Sequence, residues 1–227
     1  MLCPITVVSA ALLCLLAPSC VTSATASPIA RAAQTRSLIH LSPPMKVLSD
    51  TLNGAQWLNV LEHLAAALGK EGPPLQLCLI GSASCLLGGM EARTSRDLDV
   101  WRPSSDYDRT ELRQAAEAVG LLFDPKTPLD PDRPYLQIVD KGVVEIGEFV
   151  PVLIDRMGRL HLTRPPIEHL IASKLIRGDA RDIADILFLR HLHHPDLERV
   201  KTVIASFSSQ HRQQAEENLI YLEITTP

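Results

Sequence analysis

The chain has 227 residues, a length that suits one sizeable domain or a small domain with a helical extension. Hydrophobic residues make up 46% of it and charged residues 21%, which is ordinary for a folded globular protein and excludes a wholly disordered chain. The formal net charge of −4 excludes a broad attraction of the whole surface to nucleic acid or anionic lipid. Any polyanionic ligand would therefore have to be held by a local group of cationic side chains.

Residues 1–44 differ in character from the rest of the chain. Residues 5–17 carry no charged side chain, and the small residues at 24–26 fit a signal-peptidase site, so residues 1–26 have features of a signal peptide. No Lys or Arg precedes Arg31, however, and Met45 is the alternative start, with residues 1–44 untranslated or disordered. A genuine signal peptide predicts an exported protein, whereas a start at Met45, which we favour slightly, predicts a cytoplasmic one. Apart from this signal-like segment, neither interpretation of the N-terminus predicts an interaction with a membrane.

Hydrophobic periodicity predicts alternating helices and strands in the first half of the domain. A repeat of about 3.6 residues indicates a helix, whereas a short apolar run or a polar–apolar alternation indicates a strand. In chain order these patterns predict a helix at 56–70, a strand at 75–80, a short helix at 82–87, a strand at 96–101 and a helix at 106–119. Cys78 and Cys85 lie in the apolar runs without metal-ligand spacing, so we expect buried, reduced thiols.

The second half of the chain changes from strands to helices. The proline-rich residues 125–134 predict a loop. Two β-hairpins are expected after it, one joining 135–139 to 143–150 and one joining 151–154 to 160–162. Helices are predicted at 167–177, 181–192, 197–207 and 209–222. The predicted fold class is α/β (α+β), with a small mixed β-sheet flanked by helices over residues 45–162 and a helical cap over residues 163–227.

The strand at 96–101 carries two carboxylates at alternate positions. Residues two apart on a strand point to the same face, so Asp97 and Asp99 lie side by side. Two carboxylates this close repel each other unless a cation neutralises them, and oxygen ligands suit Mg²⁺ or Mn²⁺. Taken alone, the pair is also compatible with a solvated strand face on which Arg96 and Arg102 form ion pairs.

A glycine and a serine precede this strand and favour the metal-site interpretation. Gly81 and Ser82 stand where the first strand gives way to the short helix, and the amides at such a junction attract phosphate. Arg93 and Arg96 offer charge-assisted hydrogen bonds to phosphate oxygens. Together these residues predict a nucleoside triphosphate site beside a divalent metal ion.

Three segments resemble a known family. Gly-Ser-Ala-Ser at 81–84 and Arg-Thr-Ser-Arg-Asp-Leu-Asp-Val at 93–100 resemble the core motif of minimal nucleotidyltransferases and of the AbiEii-like toxins of type IV toxin–antitoxin systems. Residues 173–185 look like the later helical motif of that family, a lysine followed by a basic residue and two acids three apart. The resemblance spans about residues 77–189 and implies a nucleotidyltransferase fold.

The resemblance also implies roles for the motif residues. Asp97 and Asp99 would hold Mg²⁺ or Mn²⁺, Ser82 would contact the nucleotide phosphates, and Lys174 would neutralise the triphosphate. The remaining members of the helical motif would take part in nucleotide binding, and they are Arg177, Asp182 and Asp185. From the residues alone, a salt-bridged helical hairpin is the alternative explanation for the two acids.

A third carboxylate is expected on a later strand in nucleotidyltransferases that use two metal ions. Glu145 and Glu148 are the candidates, and Glu145 is taken as the catalytic one. The two are three residues apart, so on a regular strand their side chains would point to opposite faces. Only one can then face the site unless Gly147 forms a bulge. Neither stands in a recognisable motif.

The leading hypothesis is an enzyme that transfers a nucleoside monophosphate from a nucleoside triphosphate to an acceptor hydroxyl. The acceptor would be a tRNA, a protein side chain or a small molecule, and the resemblance adds a possible role in a toxin–antitoxin system with an antitoxin-like partner. The alternative is a catalytically degenerate relative that binds nucleotide or a protein partner. A nucleotide-sugar glycosyltransferase is disfavoured, because only one helix and one strand precede the two carboxylates.

Overall fold

The computed structural model describes residues 51–126 and 133–223, all within one compact unit, Ser42–Pro227. The predictions for residues 1–44 and for most of the proline-rich loop therefore lie outside the described residues. Of the helices described, none is long and apolar enough to cross a membrane.

The described strands form one six-stranded mixed sheet and one two-stranded sheet. The strands are β1 (Leu52–Asn53), β2 (Leu75–Ile80), β3 (Thr94–Ser95), β4 (Asp97–Trp101), β5 (Leu122–Phe123), β6 (Tyr135–Val139), β7 (Val152–Met157) and β8 (Leu160–Arg164). The large sheet has the order β5-β6-β4-β2-β8-β7, and β1 pairs with β3. In the centre of the large sheet, β2 runs antiparallel to β4 and parallel to β8, and β4 runs parallel to β6. The predicted mixed sheet is confirmed.

The helices are α1 (Gly54–Ala67), α2 (Ala83–Leu87), α3 (Arg109–Ala118), α4 (Ile167–Arg177), α5 (Ala180–His193), α6 (Leu197–Ala205), α7 (Ser209–Glu217) and α8 (Ile220–Glu223). Side-chain caps fix several of their starts. Asn53 and Gln56 form a reciprocal capping box at the start of α1, and Asp179 accepts hydrogen bonds from two amides of α5. Gly178, in the left-handed conformation with a φ of 58°, ends α4 and turns the chain into α5.

One face of the large sheet packs against α1 and α3. Side chains alternate between the faces of a strand, so Leu77 and Leu79 on β2 and Leu98 on β4 share this face. They form a core with Trp57 of α1 and Leu112 of α3, in which all five side chains are fully buried. Burial of a leucine side chain contributes roughly 1.5–3 kcal/mol. This core fixes the orientation of β4 and therefore of the residues on its opposite face.

The opposite face is covered by helices over only part of its area. Ile80 of β2, Trp101 of β4 and Val139 of β6 pack into a second core that includes Ile171 and Leu175 of α4. Helices α5, α6 and α7 extend this core. The other end of β4 on the same face is polar, and the candidate site lies there.

The predicted hairpin over residues 135–150 is wrong. β6 lies parallel to β4 and β5 rather than antiparallel to a following strand, and residues 143–150, all of them described, form no strand. Gly142 and Gly147 have φ angles of 92° and 73° and turn the chain there. Between them, Ile146 is buried in the helical core. The second predicted hairpin is confirmed as the antiparallel pair β7–β8.

Candidate active site

Asp97 and Asp99 lie on the polar end of β4 and point to the same face, because Leu98 between them is fully buried on the other. The Ser95 hydroxyl donates a 2.7 Å hydrogen bond to Oδ1 of Asp97. The Tyr135 hydroxyl donates a 3.3 Å hydrogen bond to Oδ2 of the same carboxylate. Asp97 is therefore oriented by two hydroxyls, one at the end of the short strand β3 and one on the neighbouring strand β6.

Gly81 brings the end of β2 against Asp99. The two strands pair so that Ile80 is opposite Asp99, and Gly81 follows with a φ of 66°. A Cβ atom at Gly81 would lie 2.3 Å from Oδ2 of Asp99, far inside van der Waals contact. A glycine is therefore required here both by its backbone conformation and by the carboxylate beside it.

The carboxylate of Asp99 is held in an environment that disfavours its charge. Burial, followed by the negative charge of Asp97, raises the pKa of Asp99 from 3.8 to about 7, although Lys174 and Arg177 act in the opposite direction. The cationic side chains therefore compensate the carboxylate pair only in part. A bound cation would relieve the remaining repulsion between the two acids.

The neighbouring strand β6 carries no acid beside the pair. In the parallel register, Tyr135 is opposite Asp97 and Gln137 is opposite Asp99, so both side chains share the polar face. Gln137 donates a 3.2 Å hydrogen bond from Nε2 to Asp124, which follows β5. The place where an adjacent strand would present a third carboxylate is thus occupied by a phenol and an amide.

Lys174 of α4 lies in a buried ion-pair network. Its ammonium group is 2.7 Å from Oδ2 of Asp185 and 3.4 Å from Oδ1 of Asp182. The lysine side chain is 8% exposed and the two carboxylates are almost completely buried. Removing one partner of such a network leaves an uncompensated buried charge, which costs about 3–5 kcal/mol.

Two arginines extend this network towards the surface. Arg177 donates two hydrogen bonds to Asp182, of 2.6 Å from Nε and 2.9 Å from a terminal nitrogen, although its own side chain is 70% exposed. Arg93, in the loop before β3, lies with Nε 3.1 Å from Oδ1 of Asp185. The buried carboxylates of α5 therefore hold Lys174 and both arginines at one place.

A cavity of about 1210 Å³ connects the carboxylate pair with the cations. Asp97 and Asp99 lie on one side of it, and Lys174, Arg177 and Arg93 line it as well. Its volume exceeds the range of roughly 300–1,000 Å³ that is common for small-molecule sites. It is therefore large enough for a nucleotide, and it presents cationic side chains and a carboxylate pair to the same space.

Sequence comparison shows the family of the chain. Residues 56–224 match the family described as nucleotidyltransferase of unknown function (DUF6036). The chain belongs to this nucleotidyltransferase family. The match covers the sheet, the motif residues on β4 and the C-terminal helices together. No curated protein and no solved structure matched the chain.

In this member of the nucleotidyltransferase family, the large cavity brings together most of the residues predicted from the sequence. Those lining it are Gly81, Ser82, Arg93, Arg96, Asp97, Asp99, Lys174, Arg177 and Asp185. A smaller adjoining cavity of about 250 Å³ shares Gly81, Asp99, Lys174 and Arg177 with it and is also lined by Asp182 and Glu145. The buried acids of α5 contact cations, as the alternative of a salt-bridged helical hairpin predicted.

The two glutamates considered as a third metal carboxylate are placed differently from the prediction. Neither Glu145 nor Glu148 is on a strand. The Glu145 carboxylate accepts hydrogen bonds from the backbone and hydroxyl of Ser208 and from His211. Across residues 51–126 and 133–223, no three or more His, Cys, Asp or Glu side chains are grouped so that they could hold a metal ion.

Sequence reasoning missed three polar side chains of the site region. Ser95 and Tyr135 orient Asp97, and His211 lines the smaller cavity beside Glu145. Ser95 could have been found, because it stands two residues before Asp97 in the motif segment. The positions of Tyr135 and His211 depend on strand order and helix packing, for which the sequence carried no local signal.

Proposed function

We propose that the protein transfers a nucleoside monophosphate from a nucleoside triphosphate to an acceptor hydroxyl, with release of pyrophosphate. The observation that carries the proposal is that Asp97 and Asp99 line the same cavity as Lys174 and Arg177. Family membership supports the reaction class, and the cavity supports the assignment of the residues.

The carboxylate pair fits a Mg²⁺ or Mn²⁺ ion that arrives with its nucleotide. Mg²⁺ is usually held in proteins by one or two carboxylates together with substrate phosphates, so Asp97 and Asp99 form a sufficient protein contribution. The raised pKa of Asp99, caused by burial and by Asp97, reflects the negative charge that such an ion would offset. When bound, the ion would supply alignment of the reacting oxygens and charge stabilisation at the phosphates.

The other side chains of the site would orient the metal ligand and bind the phosphates. Ser95 and Tyr135 hold Asp97 in one orientation, so this proposed metal ligand would be fixed before substrate arrives. Ser82 lines the cavity next to Gly81, and its hydroxyl would donate a hydrogen bond to a phosphate oxygen. Lys174 and Arg177 would offset the charge that develops on the pyrophosphate leaving group.

The cations Arg93 and Arg96 would complete the phosphate site. Both line the large cavity, and an arginine can offer two parallel hydrogen bonds to phosphate oxygens. Asp185 and Asp182 would act through the cations that they contact, because a carboxylate next to a triphosphate repels it.

The test is label transfer from nucleoside triphosphates labelled at the α-phosphate, with Mg²⁺ and with total tRNA or cell extract as acceptor. The Asp97→Ala/Asp99→Ala double variant should lose the transfer by roughly 10²-fold or more, since both metal ligands are removed. The matched control is Glu62→Ala/Glu117→Ala, which removes two exposed carboxylates from α1 and α3. Transfer that survives in the first variant would refute the site. Labelled tRNA would support the toxin-like role implied by the resemblance, and labelled protein would indicate a side-chain hydroxyl.

A catalytically degenerate nucleotide-binding protein is the second candidate. It is favoured by Tyr135 and Gln137, which stand on β6 where a third carboxylate would face the pair. This candidate predicts binding of Mg²⁺ and ATP by isothermal titration without any label transfer. The Gln137→Asp variant tests it directly, because it places an acid opposite Asp99. Transfer gained only in that variant would identify the missing acid as the cause of inactivity.

A further inference from the structure

Glu145 and His211 form a hydrogen-bonded pair at the edge of the candidate site. Glu145 lies between β6 and β7, and His211 lies in the first turn of α7. Nδ1 of His211 contacts one carboxylate oxygen of Glu145. The backbone nitrogen and the hydroxyl of Ser208 donate hydrogen bonds of 2.5 Å and 2.9 Å to the same carboxylate. Burial alone would raise the pKa of Glu145, but the hydrogen bonds from His211 and Ser208 outweigh it and lower the pKa.

The pair lies on the wall of the smaller cavity, the one that adjoins the carboxylate pair. That cavity is lined by Glu145 and His211 together with Gly81, Asp99 and Lys174. Glu145 and His211 also line a third cavity, of about 690 Å³, which contains none of the proposed metal ligands or phosphate-binding cations. His211 therefore borders both the space next to the proposed reaction centre and a separate space away from it.

The hydrogen bond fixes which ring nitrogen is available to a ligand. A histidine that donates its Nδ1 hydrogen to a carboxylate carries its lone pair on Nε2. A carboxylate that orients a histidine in this way also stabilises the imidazolium formed when Nε2 takes up a proton. His211 is 42% exposed, so the ring is accessible to a ligand.

We propose that His211 is the general base of the transfer reaction and that Glu145 positions it. This proposal rests on the proposed function. The acceptor hydroxyl would enter the smaller cavity and lose its proton to Nε2 of His211 while its oxygen forms a bond to the α-phosphorus. The bond from the α-phosphorus to the β-phosphate oxygen breaks, pyrophosphate leaves, and His211 later releases the proton to solvent. A base on α7 would replace the third carboxylate that β6 lacks.

The two cavities that His211 borders carry other charged side chains. In the smaller cavity the charged groups are Asp99, Lys174, Arg177 and Asp182, and in the other cavity the charged or titratable groups are Lys141, Glu148 and His169. Arg212 follows it on α7 and donates a hydrogen bond to the Phe207 carbonyl. Glu145 is the group in direct hydrogen-bond contact with the ring. A change at Glu145 should therefore disturb the imidazole ring of His211 more than a change at any of these other groups.

The activity test compares His211→Gln with His211→Ala, using label transfer from α-labelled ATP with Mg²⁺ and total tRNA or cell extract. Glutamine can still donate a hydrogen bond to Glu145 but cannot accept the proton, so both variants should lose roughly 10²–10³-fold in kcat. The KM for Mg·ATP should change by less than about threefold, since the role is confined to the transition state. Protonation of Asp99, whose pKa is raised by burial and by Asp97, should lower kcat at acid pH in every form. Both variants should keep that part of the pH dependence and depend on pH less than the wild type does. The control is His191→Ala, at the exposed end of α5.

A second readout does not depend on turnover. Two-dimensional ¹⁵N spectra of the imidazole ring, assigned with the His211→Gln variant, should show the Nδ1–H tautomer in the wild type at pH 8. Glu145→Gln should reduce the population of that tautomer and lower kcat, and adding it to His211→Ala should lower kcat no further, because the two residues act as one unit.

The outcomes separate the base from the reaction as a whole. Transfer by His211→Gln at the wild-type rate and with the wild-type pH profile would overturn the role of His211 and leave the proposed function standing. A proton on Nε2 rather than Nδ1 in the wild type would also overturn it. Absence of transfer by the wild type with every acceptor would overturn the proposed function and this inference with it, whereas loss in both His211 variants with binding intact supports it.

Discussion

Asp99→Asn should stabilise the metal-free protein above neutral pH. The carboxylate of Asp99 has a pKa of about 7 in the folded protein because of burial and the nearby charge of Asp97, compared with an ordinary value of 3.8. An asparagine has nearly the same shape and carries no charge. The substitution therefore removes a negative charge that burial, and then the charge of Asp97, disfavour in the metal-free folded protein.

The magnitude follows from the difference between the two pKa values. Between pH 3.8 and about 7 the folded state binds more protons than the unfolded state, so the free energy of unfolding falls as the pH rises. Each pKa unit corresponds to about 1.4 kcal/mol, which gives an upper value of roughly 4 kcal/mol at pH 8. Relaxation and water penetration reduce such penalties, and we expect the variant to be more stable by about 1–3 kcal/mol.

The assay is urea denaturation in the presence of a chelator at pH 8 and at pH 4. Near pH 4 the difference between variant and wild type should shrink to less than about 1 kcal/mol, because pH 4 is close to the ordinary pKa of 3.8, below which the penalty is absent. Added Mg²⁺ should stabilise the wild type at pH 8 and not the variant. Glu62→Gln, at an exposed position on α1, is the control for the change in net charge. A variant less stable than the wild type at pH 8, or a difference that does not depend on pH, would refute the reasoning.

Three further predictions concern the residues around the site. Gly81→Ala should destabilise the fold by about 2 kcal/mol or more in urea denaturation, whereas Gly89→Ala, at positive φ with open space around it, should cost only about 1 kcal/mol of backbone strain. Lys174→Met should lower the free energy of unfolding by up to about 3–5 kcal/mol, because it removes the buried cation and leaves the two buried carboxylates with only the arginines at the edge of the network; a loss below about 1 kcal/mol would contradict this. Burial raises the pKa of the Cys78 and Cys85 thiols to about 11 and about 12, so iodoacetamide at pH 8 should label neither in the native protein and both in urea, as measured by mass spectrometry.

The parts of the fold that the sequence predicted are those set by local periodicity. The strand at 75–80 and the helix at 167–177 have the predicted bounds, because each is an apolar pattern ended by a glycine, Gly81 and Gly178. The same local logic places Asp97 and Asp99 on one face of a strand. Their proximity to Gly81 follows from the antiparallel pairing of β2 with β4. The sequence indicated this pairing only through the order in which the motif segments follow one another.

The parts that the sequence did not predict depend on pairing between distant segments. Residues 143–150 alternate in a way that is typical of a strand, but Gly142 and Gly147 turn the backbone, and Ile146 is buried among the helices. The parallel placement of β6 beside β4 has no signature within either strand, so the contact between Tyr135 and Asp97 could not be read from the chain. The contact of Glu145 with His211 likewise joins a loop to a helix 66 residues later.

The two acids of α5 reconcile the alternatives that the sequence left open. A direct anchor role would place the buried carboxylates of Asp182 and Asp185 next to phosphates of the same charge. They instead contact Lys174 in the neighbouring helix α4. Burying the charged lysine without these two carboxylates would cost several kcal/mol. Their three-residue spacing puts both on the face of α5 that meets α4. The salt-bridged hairpin and the cationic lining of the cavity are therefore one arrangement, in which the buried acids of α5 hold the cations at the cavity.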